Sequence, residues 1–435
     1  MPNETLYTLD GLSNLVANIG VAGKDKSAHS TFVDEVLTDV EIRALFGSTW
    51  LGRKIVSIPV GDVIRPWRMW QAETDEASLL ETEEKRLGLR QKMALAMKMA
   101  SATGGAAIVM GLPGDSDQPV DWARIGKGGL AYLHVIARSD LRATGIEKDL
   151  RKPGFGLPVA YEFTGAGAAA SGSATIHPDR LVRFVGQERI DERGAQMDGW
   201  GESVYKTLRE PIRNAMSASA VIASLLYEAK VDVVHVPGLV DKLSTQKGES
   251  VLIKRFALAG LLKSINNTLL LGEGENYEQK VINFAGLPDV HARFLQEVSG
   301  AADIPLTRLL GQTPGGLNST GESDLRNYYD RLGADREDHM RPALDQIDAA
   351  LIPSATGKLS PKVWWTFGPL WTPTEAERAD VALKKAQAFK NDVDAGMPLE
   401  PMIEARKSQL IEDGAYPGLE AAWDAAVGAP ADAGL

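Results

Sequence analysis

The chain has 435 residues, a formal net charge of −11 and no cysteine. That length allows two or three domains or one elaborate subunit. The acidic balance argues against a protein that wraps DNA by neutralising phosphates. The missing thiols exclude disulfides, zinc–thiolate sites and thiol catalysis.

The start, "MPNETLYTLDGLSNLVANIG", lacks a basic stretch followed by an apolar run, so it does not read as a signal peptide. No stretch approaches the roughly 18 apolar residues of a membrane span. Residues 1–30 read as a loose polar arm. "TFVDEVLTDVEIRALF" (Thr31–Phe46) has helical spacing. Trp50–Trp70 mixes an apolar run, Pro59 and tryptophans, and reads as packing against a sheet edge. An amphipathic helix follows and stops at Gly104-Gly105, before the strand "AAIVMGL". Residues 130–190 read as β-rich, with "GAGAAASGSA" as a hairpin tip. Residues 201–230 turn helical, and Pro211 predicts a kink or restart.

"VDVVHVPGL" is a β-branched strand, "ESVLIKRFALAGLLKSI" a short helix and "NTLLLGEGENYEQKVINF" a hairpin. In "LPDVHARFLQEVSGAA", Val290, Phe294 and Val298 make a narrow stripe. A glycine-rich loop follows, then a long helix from about Glu322 to Ala350. Leu325, Tyr328, Tyr329, Leu332, Met340, Leu344 and Ile347 form its apolar face, and Pro342 predicts a bend. "KVWWTFGPLW" is an aromatic strand, and the tail from about Thr374 is helical. The order of elements is α+β.

The loop "GQTPGGLNSTGESD" invites a phosphate-cradle reading, which the sequence rejects. A P-loop needs Lys and Ser/Thr after its last glycine. Here Gly316 is followed by Leu317 and Asn318, and Gly321 by Glu322. The approach is helical, so the dinucleotide-binding fingerprint fails as well. Ser319 and Glu322 match a capping box, which predicts a firm helix start after a movable loop. No G-x-S-x-G or H-E-x-x-H occurs. The six histidines are scattered singly; His177 reads as a turn residue before a strand. His29-Ser30-Thr31 is one H-x-T element, whereas two-histidine phosphodiesterases need two. Asp335, Glu337 and Asp338 alternate with Arg331, Arg336 and Arg341, a solvated or intersubunit face and not a metal cage. No catalytic, metal or cofactor site is expected.

"DIPLTRLLGQTPGGLNSTGESDLRNYYD" (Asp303–Asp330) resembles the portal proteins of tailed double-stranded DNA bacteriophages. More narrowly, it resembles a phage-associated portal family formerly known only as a domain of unknown function. "STWLGRKIVSIPVGDVIRPW" (Ser48–Trp67) and "IHPDRLVRFVG" (Ile176–Gly186) share the likeness, which spans roughly residues 30 to 375. It implies an N-terminal arm (1–30), a wing (31–200), a stem helix (201–230), a small α/β clip (231–286) and a second stem helix (287–310). A tunnel loop (311–324) would follow, then the long kinked helix with the rest of the wing (325–373). A helical crown and tail (374–435) would end the chain.

Gln312, Thr313, Gly315, Gly316, Asn318, Ser319 and Thr320 would then face DNA in a channel. Ala215, Ser219, Val221, Val290, Phe294 and Val298 would pack the stem. The small residues of "NAMSASAVIASLL" suit close helix packing. An uncharged loop gives phosphates only weak, short-lived hydrogen bonds, where lysines would hold them. The resemblance implies a self-assembled ring, a dodecamer, in the virion, built in the host cytoplasm. Its implied partners are DNA bound without sequence preference, the large terminase subunit, a head-completion or adaptor protein, and the major capsid and scaffold proteins. No membrane partner is implied. The alternatives are a nucleotide phosphodiesterase or nuclease, or another minor head protein.

Overall fold

A computed structural model describes residues 36–72, 74–152, 154–165, 174–188, 199–227, 230–235, 237–239, 244, 250–255, 257–258, 276–281, 284–311, 321–359, 363–371, 375–412 and 423. The chain divides into two compact units, Met1–Leu370 and Trp371–Leu435.

The first unit begins with α1 (Asp39–Ser48) and α2 (Trp50–Ile64). Thr38 caps α1 in a full capping box with Glu41, and Thr49 caps α2. α2 corrects the sheet-edge reading of Trp50–Trp70. The segment is a helix that runs through Pro59 and buries Leu51, Ile55, Val56, Val60 and Val63. Burial against α1, α4 (Leu89–Thr103) and later helices outweighs the β-branched propensity and the hydrogen bond lost at Pro59.

β1 (Arg68–Gln71) follows, and only these residues of the stretch are strand. α3 (Thr74–Leu87) and α4 are separated by Gly88. Gly104 closes α4 in the left-handed region (φ 88°), as the double glycine predicts. A Cβ there would lie 2.4 Å from the Gly201 carbonyl oxygen, so glycine is required sterically as well.

The strands are β2 (Gly105–Met110), β3 (Leu133–Ala137), β4 (Leu141–Ile146), β5 (Pro158–Phe163), β6 (Ala174–Ile176) and β7 (Leu181–Val185). They form two antiparallel sheets, ordered β3-β2-β7 and β4-β5-β6. β5 and β6 flank the expected hairpin tip, with Phe163 opposite Ala174. His177 caps the turn before β7, its Nδ1 accepting from the Asp179 amide at 3.2 Å. β1 pairs with β10 (Trp364–Phe367), placing Trp70 opposite Trp365.

α5 (Tyr205–Tyr227) runs without interruption through Pro211, so the proline does not restart it. β8 (Lys230–His235) pairs antiparallel with β9 (Asn276–Val281). The second half of the expected hairpin thus pairs across the whole insert, and its first half lies outside the described residues. α6 (Leu287–Ala301) packs against α5, and α7 (Leu306–Leu310) is a short turn of helix.

The long helix is α8 (Glu322–Asp335), a π-turn (Arg336–Met340) and α9 (Arg341–Thr356). Pro342 sits in the first turn of α9, so the expected break lies just before it, where its missing N–H and its ring cost least. The apolar face is as the spacing predicts: Tyr328, Leu332, Met340, Leu344 and Ile347 are buried. One core runs from α2 through α4, α5 and α9 to β2 and β7.

The second unit contains α10 (Glu375–Asp394) and α11 (Leu399–Glu412), which pack on each other. Lys407 lies 5.6 Å from the centre of the Trp423 ring.

Candidate functional site

The glycine-rich segment is the strongest functional feature of the sequence. Gln312, Thr313, Gly315, Gly316, Asn318, Ser319 and Thr320 lie outside the described residues. What holds the segment at its two ends is well described. Gly311 closes α7 and Gly321 precedes α8, both left-handed (φ 71° and 63°). The expected capping box has the wrong register. Gly321 is the N-cap with no side-chain cap, so Glu322 is the first helical residue and not the third that a box requires.

Both ends are tied to one carboxylate. Asp62, 2% exposed and near the end of α2, accepts from Arg308 through both oxygens, at 2.7 and 2.9 Å. Its Oδ2 also accepts from the Tyr328 hydroxyl at 3.0 Å. Arg308 lies on α7 before the segment and Tyr328 on α8 after it. Burial, and then the Asp62 charge, push the Tyr328 hydroxyl far above its ordinary value, so it stays protonated and donating. The hydrogen bonds to Asp62 raise the Arg308 guanidinium. Such fork-like charge-assisted pairs fix direction as well as distance.

Two further bonds secure the anchors. Lys54 of α2 donates to the Leu309 carbonyl at 2.6 Å. Arg331 donates to the Asp303 carbonyl at 2.9 Å. Asp303 (φ 52°) is the one non-glycine residue with positive φ among the described residues. That conformation costs energy, and the Arg331 bond helps to hold it.

The helix pair α5 and α6 carries the residues expected to pack the stem. Ala215 and Val298 are buried and Phe294 is half-buried. Ser219 Oγ and His291 Nε2 lie 2.6 Å apart across the pair. Val221 and Val290 are 56% and 52% exposed in the single chain. Along the stripe of Val290, Phe294 and Val298, exposure falls from the start of α6 toward its end.

A second polar cluster joins the sheet pair β1–β10 to the helices. Arg68, with a side chain 0% exposed, meets Glu84 of α3 at 2.7 Å and Asp348 of α9 at 2.5 Å. The Trp67 and Trp365 indoles donate to the same two carboxylates at 2.8 and 2.7 Å. The Arg68 guanidinium lies 4.2 Å from the Trp70 ring centre. Burial pushes the Asp348 carboxyl upward, against the pull of Arg68.

The mixed charges near the π-turn are only partly a solvated face. Arg331 pairs with Asp335 at 3.3 Å and Arg341 pairs with Glu337. Arg336 is buried, donates to the Gly368 carbonyl at 2.8 Å and lies 4.2 Å from the Phe367 ring centre. Among the described residues no group of His, Asp or Glu could hold a metal ion, and no helix is long and apolar enough to cross a membrane.

Sequence reasoning missed Asp62, Arg308 and Lys54. The signal was there: Asp62 is the lone carboxylate in "WLGRKIVSIPVGDVI". A single acid in a buried apolar helix needs a cationic partner.

The sequence profile of the phage portal proteins matches residues 40–391. The chain belongs to the phage portal protein family. A chain in the neck of an empty GTA particle, solved with C6 symmetry, shares the fold at a TM-score of 0.50 and 16% identity, over 88% of this chain and 98% of that one. A Caulobacter sp. (strain RHG1) relative, named Anti-CBASS protein Acb1, is 39% identical over 434 residues, covering 96% of this chain and 69% of the relative. An uncharacterized Haemophilus influenzae protein is 28% identical over 95% of this chain and 92% of its own length.

Proposed function

We propose that this chain is the repeating subunit of a portal ring at one capsid vertex, the channel through which double-stranded DNA enters and leaves. The observation that carries this reading is the family match across residues 40–391. Residues 312–320 would border the bore, held at both ends by Asp62. α5 and α6 would be the stem pair, the β8–β9 insert the clip, and the sheets with α8 and α9 the wing. The terminase motor would dock on the clip during packaging, and head-completion proteins afterwards. Capsid and scaffold proteins would meet the ring from the head side. The ring is expected to be a dodecamer, assembled in the host cytoplasm and carried in the virion. The acidic charge favours passage of DNA without adhesion.

Negative-stain microscopy and mass photometry of the purified protein test this, with large closed rings expected. Deleting Gly315–Thr320 should leave rings intact and impair DNA packaging or retention. Loss of rings on that deletion would make the segment an assembly element. A strictly monomeric wild type, even with scaffold present, would overturn the portal reading.

The name of the Caulobacter relative favours a second reading, an enzyme acting on nucleotides. Against it, the sequence holds a single H-x-T element, His29-Ser30-Thr31. About a third of that relative lies outside the match, which leaves room there for whatever its name describes. The Haemophilus relative matches over nearly its whole length. Turnover of cyclic or linear nucleotides that disappears in His29→Ala would establish the enzyme reading.

A further inference from the structure

The outward face of α1 and the start of α2 make one continuous surface. Val40 is 72% exposed, and Ala44 and Gly47 follow on the same helical face. Ile42, on the opposite side of α1, is in the core. Trp50 opens α2 at the end of this stripe and is 46% exposed. A cleft of about 550 Å³, lined by Gly47, Thr49, Trp50, Arg53, Lys54 and Ile58, continues it.

The cations here are held by carbonyls and ring faces. Arg53 donates to the Gly47 carbonyl at 3.2 Å and lies 5.9 Å from the Phe46 ring centre. Lys54 is held by the Leu309 carbonyl and lies 5.4 Å from the Trp50 ring centre. Arg43 donates to the Asp39 carbonyl at 3.2 Å. The nearby carboxylates of Glu41 and Asp62 pair elsewhere, with Arg209 and Arg308. Carbonyls and ring faces orient a cation and leave its charge available to a partner.

Charge and shape together select the partner. The rest of this −11 chain is acidic and so complements the patch. Tryptophan and arginine are the residues that dominate the energetic centres of protein interfaces. A DNA backbone would use the cations but leave the Val40–Ala44–Gly47 stripe uncovered. In a ring, each copy presents one surface to a different surface of the next, so a cationic patch can meet an acidic one.

We propose that the α1 face and the Trp50–Arg53–Lys54 cleft form one side of the contact between neighbouring copies of this chain. Trp50 is its centre, and Arg53 and Lys54 take carboxylates of the next copy. This rests on the ring reading above.

The cysteine-free sequence makes the test direct. Val40→Cys, in the otherwise unchanged full chain, is labelled with a maleimide–benzophenone and irradiated after assembly from mixed light and heavy isotopes. Cross-links from position 40 to a peptide of a second copy are expected. Separately, Trp50→Ala combined with Arg53→Glu should raise the concentration needed for rings by about tenfold or more. A thermal melt of the unassembled protein should be little changed, which separates lost contact from lost fold. Cross-links confined to the same chain or to DNA overturn the proposal. Wild-type rings with unimpaired assembly of the double variant overturn it too and leave the ring reading standing. Failure of the wild type to form rings brings down both.

Discussion

The Arg68 joint and the Asp62 clamp use the same chemistry in different settings. In each, a buried carboxylate takes an arginine and the polar hydrogen of an aromatic ring. Glu84 and Asp348 share Arg68 and each accept from a tryptophan, while Asp62 accepts from Arg308 and Tyr328. The arginines differ. The Arg68 side chain is 0% exposed and that of Arg308 is 38% exposed. Water can therefore replace part of what Arg308 gives up, and none of what Arg68 gives up. The joint fixes a sheet pair to two helices. The clamp fixes the two ends of the segment between α7 and α8.

Four substitutions probe that contrast. The largest effect is expected for Arg68→Met, which strands two buried carboxylates. It should cost about 3–5 kcal/mol in urea unfolding followed by tryptophan emission. A loss below about 1 kcal/mol, the range of exposed pairs, would erase the distinction between joint and clamp.

Asp62→Asn comes next, at about 1.5–3 kcal/mol, since Arg308 regains water when released. In that background Arg308→Met should add almost nothing. If the two losses simply add, the clamp is not one unit.

The smallest effect concerns Glu83, the neighbour of the joint's Glu84. The Arg86 hydrogen bonds hold its carboxyl below the usual glutamate value, burial opposes them, and Ser354 adds a donor at 2.6 Å. A lowered folded value gives stability that is present above the unfolded pKa and lost as pH falls through the folded one. Glu83→Gln should cost about 1 kcal/mol at neutral pH and flatten the acid limb of the stability curve. Asp348 works in the opposite sense. Its raised carboxyl favours folding as pH falls, so a limb unchanged in Glu83→Gln would assign acid sensitivity to other carboxylates.

The sequence conveyed long periodic elements and their stops. Gly104, the α6 helix, the face of the long helix and the aromatic strand β10 follow directly from spacing and glycine placement. It misled where tertiary burial overrode local preference. Trp50–Ile64 carries β-branched residues and Pro59, yet it is the central helix because Leu51, Ile55, Val56 and Val60 fill the core. The capping box failed because Gly321 takes the left-handed turn itself and leaves Glu322 two residues too early. The anchors of the glycine-rich segment were unreadable as a set. Asp62 is 246 residues from Arg308 and 266 from Tyr328, and only the fold brings them together. The rings expected from the resemblance would depend on exposed surfaces such as Val40 and Trp50, which spacing within one chain does not mark.

The π-turn at Arg336–Met340 also has a meaning for chain length. Leu332, Arg336 and Met340 are all buried, at successive steps of four. Two such steps overshoot a regular helix by about 80°. The wide turn unwinds that excess, so α8 and α9 address the same core with separate phases. The rod therefore behaves as two helical wheels joined at one fixed offset. A single residue gained between 336 and 340 would be a frameshift in space: every side chain would survive, and Leu344 and Ile347 would face the wrong way.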